Sequence, residues 1–365
     1  MNAVDRRMRR CYQGGMNESI KADMTATEGA VPYLDVGGTT REAGIQLGYA
    51  WTEALHCAAS RLPRGSKPWW MQNRFARLID SHAPHLPELY RGMAEGAGIP
   101  EDRCTDAHPA GPAAGEWPDT GCTSFAVAPS VAVDGHAFCG QTKDTARRQQ
   151  YRYVVLRLRL SDAPPALTLT YPGLLFGHGF VAGGCAIFRN SLYAGESAGE
   201  LPYSAWGLLA LHCASVEDAV RFTRDHTPRT AAHCTVADEA GGIAGIEIGR
   251  GGIAVRAPAD GLYVHANAVM SGEALRRYEE AGPMRENSLR REARLRALLE
   301  RGSGKLSPSG VFAMLADHAD HPCGICRHES DRMMTTAAVV VEPTRRRLSC
   351  TRGAPCRSRP ATWAL

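Results

Sequence analysis

The chain has 365 residues, 44% of them apolar, which is enough to bury a sizeable core in one large domain or two smaller ones. Its 42 basic and 38 acidic side chains nearly cancel, and the arginines are scattered, which argues against a dedicated nucleic-acid surface. No apolar run approaches the roughly 20 residues that span a bilayer. Twelve cysteines at irregular spacings in so long a chain point to a reduced, cytoplasmic protein rather than a disulfide scaffold.

Taken in chain order, residues 1–37 are expected to be a disordered tail. Arg6, Arg7, Arg9 and Arg10 are followed by no apolar segment of the signal-peptide kind, and Met16 and Met24 are alternative starts. Ala43, Ile45, Leu47, Ala50, Ala54 and Leu55 recur at helical spacing and predict one amphipathic helix over 40–60. Further helices are predicted over 72–80 and from Glu88 until Gly96, Gly98 and Pro100 end it. Residues 105–120, with Pro109, Pro112 and Pro118, cannot sustain a regular element and read as an exposed linker. Strands are then predicted over 122–133 and 136–141 around an Asp134-Gly135 turn, and again over 152–160 and 166–171.

After a glycine-rich stretch over 173–184, Ser215 is placed to cap a helix carrying Ala219 and Phe222. Strand-like pieces follow at 234–238, 244–248, 253–257 and 262–266. Residues 285–301 read as a helix whose many arginines form a solvated face. A last hairpin is expected from 335–342 and 347–351. Helices, strands, helices and strands again predict an α+β fold of two antiparallel sheets covered by helices, with a single domain over 38–365.

Chemistry concentrates first at Asp119-Thr120-Gly121-Cys122-Thr123-Ser124-Phe125. If the Gly121–Cys122 bond is cut, Cys122 carries both a thiol and, on the same residue, an α-amine of ordinary pKa about 8 that can act as its base. The same thiol can perform the cut by attacking the preceding carbonyl. Gly121 suits that step because a residue without Cβ tolerates close approach and strained backbone. The competing reading makes Cys122 a buried core thiol.

This run and four later stretches resemble the acyl-coenzyme A:6-aminopenicillanate acyltransferase family, the isopenicillin N acyltransferase group of N-terminal-nucleophile hydrolases. Glu42 to Gly48 is similar to an early E-x-G-x-x-x-G helix, and Leu89 to Gly98 to a G-x-A-x-G helix end. Gly140-Gln141-Thr142-Lys143-Asp144 stands where the family has Gly-Gln-Asn-Trp-Asp. Tyr171 through Asn190 resembles a glycine-rich segment, Val264-His265-Ala266-Asn267 a Val-His-Thr-Asn-His strand end, and Ile325-Cys326-Arg327 a closing Ile-Cys-Arg.

The resemblance implies a four-layer αββα N-terminal-nucleophile sandwich. It also implies self-cleavage between Gly121 and Cys122 into an α chain and a β chain that stay associated. Cys122 becomes the nucleophile, Asn267 the oxyanion donor, and Asp144 and Arg327 the groups beside the reacting amine. Asn267 read alone could equally satisfy backbone at a strand end, and Asp144 with Arg327 could be a structural ion pair.

Lys143 and Thr142, which replace the family's Asn-Trp pair, are expected to touch substrate, and together with Ala268 they weaken the case for a penicillin. The expected reaction is hydrolysis of a small amide, such as an amide of an amino acid, through a thioester, with no metal or organic cofactor. The alternative within the family is acyl transfer to an amine, with a coenzyme A thioester as substrate. A rival from another class reads Cys323-Gly324-Ile325-Cys326, with His321 and His328 nearby, as a zinc or redox pair, although no second CxxC exists. His233 and His265 fit no HExxH or triad pattern and read as satisfied core residues.

Overall fold

The computed structural model describes residues 31–107, 121–192, 194–279, 281–321, 323–328 and 333–365. Its first elements are β1 (Tyr33–Gly38), α1 (Thr40–Ala50), α2 (Thr52–Arg61), α3 (Asn73–His82) and α4 (Leu86–Ala97). Strands β2 (Gly121–Val127), β3 (Phe138–Thr145), β4 (Val154–Leu160), β5 (Ala166–Thr170), β6 (His178–Val181) and β7 (Cys185–Ser191) come next. Then follow α5 (Tyr203–Leu211), α6 (Val216–Asp225), β8 (Ala232–Asp238), β9 (Ile243–Gly249), β10 (Gly252–Arg256) and β11 (Leu262–His265). The chain closes with α7 (Glu273–Arg276), α8 (Pro283–Arg301), α9 (Pro308–Leu315), β12 (Met334–Glu342), β13 (Arg347–Cys350) and β14 (Ala361–Ala364). Among the described residues no helix is long and apolar enough to cross a membrane.

The described residues group into two compact units, where the sequence led us to expect one domain over 38–365. The first holds residues 32–107 and 152–177. Residues 33–37, expected to belong to the tail, form β1 with Gly38, parallel to β4, with Leu34 and Val36 turned inward, and residues 1–30 lie outside the described residues. The helix expected over 40–60 is two helices, since the backbone leaves helical geometry at Trp51, with φ −112° and ψ 20°. Helices α1 and α4 approach so closely that a Cβ on Gly48 would lie 2.2 Å from the Met93 carbonyl oxygen. The two glycine motifs are thus a helix-packing device. Trp70 stacks on Tyr90, which donates to Asp106, and closes this core.

The second unit holds residues 31, 121–151 and 178–365, and it is a complete four-layer αββα arrangement. Within this unit one sheet carries β6-β7-β8-β9-β10 in that order and the other β11-β2-β3-β12-β13-β14, and these strands pair antiparallel. Strand β2 ends at Val127, short of the expected 133, because Pro129 cannot continue the ladder and starts a 3-10 turn. Alternation along β2 sends Phe125 and Val127 to one face, where they join Phe138, Leu295, Leu299 and Phe312 beneath α8 and α9. Each such fully buried side chain contributes about 1.5–3 kcal/mol.

Ser124 points to the opposite face and meets the other sheet, accepting from Asn190 of β7 at 3.0 Å and from Thr235 of β8 at 2.9 Å. Beyond that sheet lie α5 and α6. Ser215 caps α6 as its sequence predicts, accepting from Asp218 N at 3.1 Å. The linker expected over 105–120 lies, from 108 onward, outside the described residues.

Candidate active site

Strand register builds the site. Gly121 pairs with Asp144, Cys122 with Lys143 and Thr123 with Thr142, so Cys122 and Lys143 share the face turned to the other sheet. Thr142 and Thr123 share the face turned to α8. The substrate contact expected of Thr142 is therefore corrected, because a one-residue step along a strand reverses the side chain's direction and places Thr142 opposite the Cys122 face. A Cβ at position 121 would lie 2.9 Å from Asp144 Oδ2 and 3.2 Å from Arg327 Nη1, so a side chain before Cys122 would have to push these two groups aside.

The backbone N–H of Cys122 donates to Asn267 Oδ1 at 3.0 Å. Arg291 Nη2 donates to the same oxygen at 2.8 Å, while Arg291 Nη1 donates to the Cys122 carbonyl and to Thr123 Oγ1, both at 2.7 Å. Asn267 Nδ2 donates to the Ser191 carbonyl at 2.9 Å. With two donors on one atom and a carbonyl on the other, the amide's orientation follows from its partners. Ser288 Oγ of α8 accepts from the backbone N–H groups of Asn267 and Ala268, each at 2.6 Å, and holds the strand end in place.

Arg291 and Ser288 overturn the reading of residues 285–301 as a solvated face. Arg291 is 2% exposed and Ser288 fully buried. A signal was available: Leu295 and Leu299 mark the inward stripe of α8, and stepping back by four reaches Arg291 and then Asn287. Asn287 Oδ1 accepts from Arg291 Nε at 3.0 Å and also from Arg327 Nη2, so one side chain links both arginines.

Asp144 is fully buried. Its Oδ1 accepts from Thr335 Oγ1 at 2.8 Å, Arg327 Nε stands 3.7 Å from its Oδ2, and among the described residues no group donates a hydrogen bond to Oδ2. Burial pushes this carboxyl's pKa up, against the opposing pull of Arg327, Arg291, Thr335 and Lys143. Burial likewise raises the Cys122 thiol, while the charges on Lys143 and Arg291 work to lower it.

Lys143 donates to His178 Nε2 at 2.6 Å, and burial brings its pKa down to about 8. Burial also holds His178 well below the usual imidazole range, so the ring is neutral, with its proton on Nδ1. The structure thus brings Gly121, Cys122, Lys143, Asp144, Asn267 and Arg327 together and adds Arg291, Asn287 and Ser288.

His265 and His233 lie behind this site. Both nitrogens of His265 face acceptors, Glu247 Oε1 at 2.7 Å and the Ala266 carbonyl at 2.8 Å, and His233 stacks on it at 3.6 Å and bonds the Tyr263 hydroxyl. They support the strand end that carries Asn267. The proposed CxxC pair is not what the fold assembles: Cys326 is buried and its sulfur lies 3.5 Å from Cys356, whereas Cys323 is exposed.

Residues 133–357 match the sequence profile of the family described as acyl-coenzyme A:6-aminopenicillanic acid acyl-transferase. That span contains Asp144, Asn267, Arg291 and Arg327 and begins after Cys122. No curated protein sequence matches the chain. Among solved structures, a conjugated bile acid hydrolase from Clostridium perfringens is 11% identical, with 66% of this chain and 97% of that one covered and a TM-score of 0.44. An N-acylethanolamine-hydrolyzing acid amidase ortholog from Caenorhabditis elegans is 14% identical over 67% and 100%, TM-score 0.45. A penicillin V acylase from Agrobacterium tumefaciens is 12% identical over 67% and 86%, TM-score 0.39.

Proposed function

Since this chain belongs to the acyl-coenzyme A:6-aminopenicillanic acid acyl-transferase family, we propose that it cuts itself between Gly121 and Cys122 and then uses Cys122 to open a small-molecule amide through a thioester. The observation that carries the reading is the meeting of the Cys122 nitrogen, Asn267 Oδ1 and Arg291 at one point in a buried site. The atom that would become the α-amine is already held.

In the uncut chain that nitrogen is an amide and cannot take a proton, so processing needs another base. Lys143 shares the Cys122 face, and burial leaves part of its population neutral near pH 8. It accepts the thiol proton, the sulfur attacks the Gly121 carbonyl, and the proton passes to the departing Cys122 nitrogen. Water then hydrolyses the thioester and frees Gly121 as a carboxylate.

Afterwards the α-amine is the base for the thiol. Asn267 orients it through Oδ1 and offers its second Nδ2 hydrogen to the oxyanion, and Arg291 fixes Asn267 from behind. Asp144 and Arg327 stand beside the former Gly121 position and hold the amine's surroundings polar. Water as acceptor gives hydrolysis, and an amine gives acyl transfer from a donor such as a coenzyme A thioester. The reaction chemistry itself calls for no metal or organic cofactor.

Intact mass and N-terminal sequencing of the purified protein beside Cys122→Ala test the proposal. The wild type is expected to yield a chain beginning Cys122-Thr123-Ser124, and the variant none. A folded wild-type chain that stays uncut defeats the reading.

A further inference from the structure

Away from the Cys122 face, the segment before β12 gathers metal-type donor atoms that the reaction does not use. His318 Nε2 and His328 Nε2 are 3.0 Å apart, and one ring nitrogen of each histidine and the sulfur of Cys356 all lie within 4.8 Å of one another. The Cys326 sulfur is 3.5 Å from that of Cys356. We propose that His318, His328 and Cys356, with Cys326 as fourth ligand, bind one zinc ion that ties the segment carrying Arg327 to the C-terminal segment at residue 356.

Two imidazoles and two thiols form a donor set that suits tetrahedral zinc, whose ligand atoms normally stand between about 3 and 4 Å from each other given metal bonds of about 2.0–2.3 Å. Of the CxxC pair only Cys326 takes part, and Cys323 does not. In the metal-free arrangement Arg357 Nη2 donates to His328 Nδ1 at 3.2 Å, so Nε2 of that ring carries the hydrogen shared with His318.

Zinc takes the place of that hydrogen. The His328 proton moves to Nδ1, Arg357 withdraws from it, and the two thiols release their protons as the zinc–sulfur bonds form. Because Arg327 lies between two of the ligands and its Nε is 3.7 Å from Asp144 Oδ2, the metal sets where that arginine stands. The role is structural, and the inference does not depend on the proposed reaction.

The full chain, purified under reducing conditions, is incubated with one equivalent of zinc, desalted and analysed by elemental mass spectrometry. About one zinc per chain is expected in the wild type and in Cys323→Ser, with at least a tenfold drop in Cys356→Ser and His328→Ala and tighter retention in Arg357→Ala. Cobalt loading of the wild type is expected to show the visible absorption of a tetrahedral thiolate site, which is independent of how well any variant folds. Retention of zinc by both ligand variants, or a wild type that keeps no zinc and shows no such cobalt spectrum, overturns the proposal. Cleavage before Cys122, read by mass on the same samples, reports separately on the proposed function.

Discussion

Two buried carboxylates of the same unit differ in how completely they are bonded. Glu247 Oε1 accepts from His265 at 2.7 Å and from Met270 N at 2.8 Å, and its Oε2 accepts from Ser271 N at 2.9 Å. Asp144 has one short bond, to Thr335, and an oxygen to which no group donates among the described residues. Burial pushes both pKa values up. In Glu247 the His265 contact and two amides outweigh it and leave the carboxyl below its usual range, whereas in Asp144 burial wins. A carboxylate with donors on both oxygens holds a fold together, and one with an oxygen left open is available to something that arrives later.

Five substitutions break or sharpen this contrast. Glu247→Gln puts an amide where a buried carboxylate accepts from His265, Met270 N and Ser271 N, and is expected to cost about 1.5–3 kcal/mol of stability in urea unfolding. Asp144→Asn should cost less than about 1 kcal/mol yet leave the chain uncut. Equal losses of stability in the two variants would erase the distinction.

Asn267→Ala is expected to slow turnover of the processed enzyme about 100- to 1000-fold, as removal of one oxyanion donor does, with the mature chain prepared and assayed on an amide substrate. A change of under threefold would return Asn267 to a purely structural role. Arg291→Lys keeps the charge but loses the fork that reaches Asn267, the Cys122 carbonyl and Thr123 together. A stability loss of about 2–3 kcal/mol by chemical denaturation and a longer precursor half-life follow.

The smallest effect concerns Lys143. Its folded pKa, about 8, is below the ordinary 10.5, so between those values the unfolded chain holds a proton that the folded chain has released. Stability therefore carries a penalty below pH 8 that fades as pH rises toward 10.5. Lys143→Met removes it. The variant should be about 1–2 kcal/mol more stable than the wild type at pH 7, and the gap should narrow by pH 10 in paired melting curves. A gap that widens with pH would show that the lysine is stabilised in its charged form instead.

Much of the site was legible because its chemistry is local. Gly121-Cys122 announces a nucleophile behind a residue without Cβ, and the Asn267 strand end and the Arg327 segment each carry a polar residue where an apolar pattern stops. Arg291 was not legible in the same way, because in a run of arginines the buried one is distinguished only by the stripe of Leu295 and Leu299 that continues through it. Thr142 shows the opposite error: adjacency to Lys143 in sequence means opposite faces in a strand.

The amino-acid sequence by itself determined the α+β class, the order of most elements and the place of the Gly121-Cys122 pair at the start of a strand, since periodicity and turn residues are properties of short segments. Only the tertiary structure decided which arginine bonds Asn267, which carboxylate keeps an oxygen open, and which cysteine stands beside Cys326. Those facts depend on register between distant strands and on which turn of α8 faces inward. Burial then sets the pKa of each group, and burial belongs to the packed chain rather than to any segment of it.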